Sequence, residues 1–146
     1  MIPKIIHYCW FGHSPLPELA VKCIDSWKRL LPDYEIIEWN ENNYDINSIP
    51  YIAEAYKNKK YAFVSDYARF DILYHHGGVY FDTDVEVLKY ITPIIEKGAF
   101  VGLEKIGSIA TGLGIGFEKG NEVLKDILDS YSTPGDSVIL PKTTDR

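Results

Sequence analysis

The segment from Tyr61 to Asp84 constrains this chain more than any other. Within Tyr61–His76, Phe63, Tyr67, Phe70 and Tyr74 recur at helical spacing, and Val64, Ala68 and Ile72 cover much of the remaining surface. A helix that is apolar on most sides has to be buried. Gly77-Gly78 closes it, because glycine accepts the left-handed conformation that ends a helix. Val79-Tyr80-Phe81 then reads as a short apolar strand that delivers Asp82-Thr83-Asp84 at its end. A buried helix feeding a buried strand calls for a layered α/β fold.

The flanking segments agree. Lys4–Trp10 reads as a buried strand stopped by Gly12. Ser14-Pro15-Leu16-Pro17 opens a helix that carries Leu19, Cys23, Ile24, Trp27, Leu30 and Leu31 on one stripe and ends at Pro32. Tyr34–Trp39 is a second strand, Asn40–Ser48 a polar loop, and Pro50–Lys57 a short helix. Phe100–Leu103 and Ile115–Phe117 are expected strands, and Asn121–Tyr131 an amphipathic helix. Residues 1–146 form one domain on this reading. The tail, Pro134–Arg146, shows no closing element, so the domain is expected to continue past Arg146.

Composition narrows the function classes. Hydrophobic residues make up 46% of the chain, enough for a core, and the net charge of −6 disfavours nucleic acid as main partner. The two cysteines, Cys9 and Cys23, are too few for a disulfide scaffold and fit a reducing compartment. The N-terminal residues lack a signal-peptide layout and no apolar run reaches membrane-spanning length. The expectation is a cytoplasmic protein, with peripheral membrane contact left open.

Three constellations carry chemistry. Residues i and i+2 of a strand share a face, so Asp82 and Asp84 would repel each other unless solvent or a cation lay between them. At a strand end such a pair can ligate Mn²⁺ or Mg²⁺ and leave sites for substrate phosphates; a solvated acidic turn is the alternative. The second constellation is Asp66 and Arg69, charged residues on an otherwise apolar helix and three apart, hence on one face. They form either an internal salt bridge or a polar face meeting a ligand near the acidic pair; Asp71, on another face, is read as structural. The third is Trp10, at the exit of the first strand, which either stacks on a base or sugar or belongs to the core. His75 and His76, at a helix C-terminus, are read as structural. The Gly112–Gly116 run lacks phosphate-loop spacing.

Four stretches taken together resemble glycosyltransferase family 32, which includes capsular-polysaccharide sugar transferases and fungal initiating α-1,6-mannosyltransferases. They are Ile2–Gly12, Tyr34–Asn40, Ala62–Tyr74 and Gly77–Asp84. Bacterial glucosylating toxins are similar in the same places. The resemblance implies a GT-A-like, Rossmann-type nucleotide-sugar-binding sheet flanked by helices. It also implies retaining transfer of a hexose from a nucleotide sugar to a glycan acceptor, with Mn²⁺ or Mg²⁺. By match, Trp10 falls where a tryptophan stacks on uracil, which favours a UDP-hexose over GDP-mannose. Ser65, Asp66 and Arg69 fall on a Ser-Asp-x-x-Arg motif that holds ribose and donor sugar. Tyr80 falls beside the donor, and Asp82 and Asp84 on the metal-binding acidic pair. In a parallel sheet, Trp10 and the Asp66–Arg69 face would converge on one cleft.

Two rival classes remain at this level. A phosphohydrolase of the haloacid dehalogenase type also uses a strand ending in D-x-D, but that motif usually opens the chain and needs a downstream lysine and acidic pair. A non-catalytic nucleotide-sugar-binding module is the other.

Overall fold

The structure is a computed structural model that describes residues 1–98, 100–101 and 114–132. Among these residues, five strands and five helices run in the order β1 (Ile5–Cys9), α1 (Glu18–Leu30), β2 (Glu35–Trp39), α2 (Pro50–Lys57), α3 (Tyr61–His76), β3 (Gly78–Tyr80), α4 (Thr92–Ile95), β4 (Phe100–Val101), β5 (Ile115–Phe117) and α5 (Glu122–Ser132). The single turn α4 was not expected from the sequence. The far end of the expected strand at Phe100–Leu103, residues Gly112 and Leu113, and the tail from Pro134 onward lie outside the described residues.

The sheet has the order β2-β1-β3-β5-β4. β1 runs parallel to β2, with His7 opposite Ile37, and parallel to β3, with His7 opposite Tyr80. The parallel expectation fails beyond β3: β5 pairs antiparallel with β3, Val79 opposite Gly116, and β4 antiparallel with β5. In the first half a helix lies between successive parallel strands, α1 between β1 and β2, and α2 with α3 between β2 and β3, as parallel pairing requires.

Helices cover both faces. Ile6 and Tyr8 of β1 join Val79 and Phe81 in packing against Ile24, Trp27 and Leu31 of the α1 segment. Cys9 and Phe11 join Tyr80 and Ile115 in packing against Ile52 and Ala55 of α2, Val64, Ala68 and Ile72 of α3, and Leu124 of α5. This is the alternation expected of strands buried on both sides. α1 shows it from the helix side: Trp27 is fully buried, while Lys22, Asp25 and Lys28 on its other side are exposed.

The Gly77-Gly78 stop has two separate causes. Gly77 takes φ +68° and its N–H donates to the Leu73 carbonyl, which satisfies the end of α3. Gly78 is already a strand residue; a Cβ there would lie 2.7 Å from the Ile5 carbonyl oxygen, so only glycine lets β3 approach β1. No helix among the described residues is long and apolar enough to cross a membrane.

Candidate active site

The parallel strands β2, β1 and β3 all end at one edge of the sheet, and the chemistry-bearing residues gather there. From α3, Arg69 reaches that edge with its side chain 1% exposed. Its Nη2 donates to Asp66 Oδ1 at 3.0 Å and to Asp82 Oδ1 at 3.2 Å, and its Nε donates to the Ser65 carbonyl at 3.2 Å. The guanidinium also stands 4.8 Å from the Tyr80 ring centroid, a cation–π distance. Burial works against the Arg69 charge, but the facing Tyr80, Asp82 and Asp66 outweigh it and hold the guanidinium cationic. Of the two alternatives for Asp66 and Arg69, the salt bridge is present, and it extends to the acidic motif.

Behind this arginine lies Cys9, whose thiol burial pushes up to about 12, so it packs as a neutral group. Burial likewise keeps the Tyr80 phenol neutral. Two tyrosines unremarked in the sequence line the same wall. Tyr131 of α5 stacks edge-on against Tyr51 and Tyr67, each at 5.1 Å between centroids. The Asp66 charge contributes to raising both the Tyr51 and Tyr131 phenols, after burial. The Tyr51 hydroxyl is buried and has no hydrogen-bond partner among the described residues. Nothing in local spacing points to these residues, because α2 and α5 reach Asp66 only through packing on α3.

The acidic motif differs from its sequence reading. β3 ends at Tyr80, so Asp82, Thr83 and Asp84 stand on a turn in which the Val85 N–H donates to the Asp82 carbonyl. Strand alternation does not apply there. Asp82 turns toward Arg69, while Asp84 is exposed and its charge is felt at Cys23 of α1. The turn is fixed downstream: the Trp27 indole donates to the Val85 carbonyl at 2.7 Å, and the Val87 N–H to Ser26 Oγ at 2.9 Å.

Trp10 sits at the same edge but on the opposite face. It follows Ile6 and Tyr8 in packing on the α1 side, and its indole donates to the Ser14 carbonyl at 2.7 Å. The structure thus brings Ser65, Asp66, Arg69, Tyr80 and Asp82 into one cluster and sets Trp10 across the sheet from it. The single cleft expected of a parallel sheet is an edge shared by two faces. His75 and Asp71, both read as structural from the sequence, pair at 3.1 Å, and Asp71 accepts from the Tyr44 hydroxyl at 2.7 Å.

Residues 17–101, more than half of the chain, match the model of a family described as a glycosyltransferase sugar-binding region containing a DXD motif. The chain belongs to this glycosyltransferase family. The phosphohydrolase reading falls with that assignment. Among similar proteins, inositol phosphoceramide mannosyltransferase 3 of Schizosaccharomyces pombe is 30% identical over 131 residues, covering 87% of this chain and 36% of the relative. A mannosyl phosphorylinositol ceramide synthase of Saccharomyces cerevisiae is 34% identical over 109 residues, covering 69% of this chain and 27% of the relative. The chain spans about a third of the length of these relatives. The solved structure of PaToxG glycosyltransferase superposes with a TM-score of 0.68 at 21% identity, over 94% of this chain and 63% of that one. The fold is that of GT-A-type glycosyltransferases.

Glycosyltransferases with this motif generally use a divalent metal. No group of three or more His, Cys, Asp or Glu side chains converges among the described residues. Two carboxylates on one turn fit Mn²⁺ or Mg²⁺ all the same, since such ions take oxygen ligands and commonly rely on one or two carboxylates plus substrate phosphates. Asp82 and Asp84 would hold the ion in this chain.

Proposed function

We propose that this chain is the donor-binding part of a metal-dependent, retaining glycosyltransferase that moves a hexose from a nucleotide sugar to a glycan acceptor. The observation that carries the reading is Arg69: a buried guanidinium joined to both Asp66 of α3 and Asp82 of the acidic turn, at the edge where parallel strands end. Ligands of α/β sheets lie at that edge. Asp66 and Arg69, held by Ser65, would bond ribose or sugar hydroxyls, with Tyr80 behind them. Asp82 and Asp84 would carry a cation that neutralises charge on the departing diphosphate. Trp10 would stack on the base.

UDP-hexose is the donor to which Trp10 points. GDP-mannose is the second reading, favoured by the mannosyltransferase names of the fungal relatives. Surface or capsular polysaccharide is the proposed acceptor class; inositol phosphoceramide, in the relatives' names, is the alternative. A cytoplasmic setting is part of the proposal and is supported by the free, buried Cys9 and Cys23.

The decisive variant is Asp84→Ala. Asp84 is exposed, so the fold should keep its melting temperature, while Mn²⁺-dependent binding of UDP or GDP weakens about tenfold or more. Calorimetric titration with and without Mn²⁺ reads this directly. Equal binding by native protein and variant would remove the metal assignment, and hydrolysis of a panel of UDP-hexoses and GDP-mannose ranks the donors.

A further inference from the structure

The loop that leaves β1 holds an unusual backbone. Gly12 takes φ +101° and His13, a non-glycine residue, takes φ +66°. A Cβ on Gly12 would come within 2.6 Å of the Tyr61 ring. Left-handed backbone at a non-glycine position persists only where its surroundings enforce it.

One side chain supplies that enforcement. Glu41, on the loop after β2, accepts the Gly12 N–H through its Oε2, and the same oxygen accepts the Tyr56 hydroxyl at 2.9 Å. The Tyr56 ring stands 5.4 Å from Tyr61, the ring against which Gly12 lies. Burial pushes the Glu41 carboxyl up, but the Gly12 N–H, its own N–H and the Tyr56 hydroxyl outweigh this and hold it below the ordinary value. The bonds are therefore made to a carboxylate and are of the stronger, charge-assisted kind.

Glu41 stands on a braced turn. The Asn40 N–H donates to Asn43 Oδ1 and the Asn42 N–H to Asn40 Oδ1, each at 2.8 Å, and Asn43 Nδ2 donates to the Glu38 carbonyl at 2.8 Å. Upstream of Gly12, the Trp10 N–H donates to the Trp39 carbonyl at 2.8 Å, and its indole donates to Ser14 within the same loop. The position of the Trp10 ring is thus set at Ser14, two residues past the bond that Glu41 makes.

We infer that Glu41 is a positioning residue that holds the loop from Trp10 to Ser14 in the shape that presents Trp10 to a nucleotide base. This rests on the reading of Trp10 given above, and it assigns Glu41 no contact with the donor. Nothing in the sequence marks Glu41, because its two partners lie 29 positions before it and 15 after it.

The test compares UDP with inorganic pyrophosphate, both with Mn²⁺, by calorimetry on the native chain and its variants. Pyrophosphate has no base and reports the acidic turn alone. Trp10→Ala should weaken UDP about tenfold, within the range for one stacked base. Glu41→Ala should weaken UDP to a similar degree and leave pyrophosphate unchanged. Glu41→Gln, whose amide oxygen still accepts from Gly12, should recover most of the loss. The double variant should bind UDP no more weakly than Trp10→Ala alone, since both changes remove one interaction. Should Glu41→Ala fail to fold, Gly12→Ala displaces the loop from Tyr61 by sterics and should give the same UDP-selective loss. Native UDP affinity in Glu41→Ala, or in Gly12→Ala, beside a weakened Trp10→Ala would overturn the role of Glu41 and spare the base-stacking reading. Native affinity in Trp10→Ala would overturn both.

Discussion

Helices α1 and α3 flank opposite faces of one sheet, and each carries an acid–arginine pair along its side. On α1, Arg29 Nε lies 2.9 Å from Asp25 Oδ2, with both side chains 60% exposed. On α3, Arg69 lies 3.0 Å from Asp66, with the pair 1% and 9% exposed. The distances are nearly equal, and the consequences are not. Water screens the first pair and would solvate either partner alone. The second is enclosed, and Arg69 has a further carboxylate at Asp82 and an aromatic face at Tyr80. The contrast follows from sequence pattern: α1 keeps a polar side for its charges, whereas α3 has almost none, so its charges go inward and have to be matched.

The strongest way to break this comparison is Arg69→Met. It leaves Asp66 buried beside an apolar chain and should cost roughly 3–5 kcal/mol in chemical denaturation. Arg69→Lys should recover little, because one ammonium cannot reproduce the fork that joins Asp66 to Asp82. A loss below about 1 kcal/mol would show that Arg69 does not organise the site.

Next comes a buried imidazole. His7, fully buried on the α3 side of β1, accepts the Trp39 indole N–H at Nδ1 (3.0 Å) and donates from Nε2 to the Gly77 carbonyl (2.9 Å). An indole only donates and a carbonyl only accepts, so the ring is neutral with its proton on Nε2. Burial lowers its pKa to about 4. Protonation therefore favours the unfolded chain: the stability His7 contributes is complete above pH 6.5 and is lost as pH falls from there toward 4. Urea unfolding at pH 7 and pH 4.5 should show a larger loss for the native chain than for His7→Gln, by about 2–3 kcal/mol. Equal losses for the native chain and His7→Gln would refute the tautomer assignment.

The smallest effect is expected on α1. Arg29→Ala should cost about 0.3–0.5 kcal/mol and less in added salt. A loss comparable to that at Arg69 would mean that burial is not what separates the two helices.

Much of the fold was legible because its signals are local. The aromatic stripe from Phe63 to Tyr74 and the stop at Gly77 set α3 to its observed limits, Tyr61–His76. The run Lys4–Trp10 held β1, shortened by one residue at each end. The apolar run Val79–Phe81 places β3 one residue late at both ends, since the strand's limits depend on pairing with β1 and β5 rather than on its own apolar residues. Among the candidate site residues, Asp66, Arg69, Tyr80 and Asp82 lie together, with Ser65 joining through its carbonyl. Trp10 does not join them, because its register on β1 turns it to the α1 face.

By itself, then, the sequence determined the elements and the charges that need partners: helical and strand periods, glycine stops, and ionic residues on an apolar helix are properties of neighbouring positions. Tertiary structure alone decided which partners those charges take. The Arg69 link to Asp82, the Tyr51–Tyr131 wall beside Asp66, and the grip of Glu41 on Gly12 join side chains from separate elements. Such contacts depend on strand order and helix placement, which arise from burying two apolar faces of one sheet at once, and no local pattern encodes them.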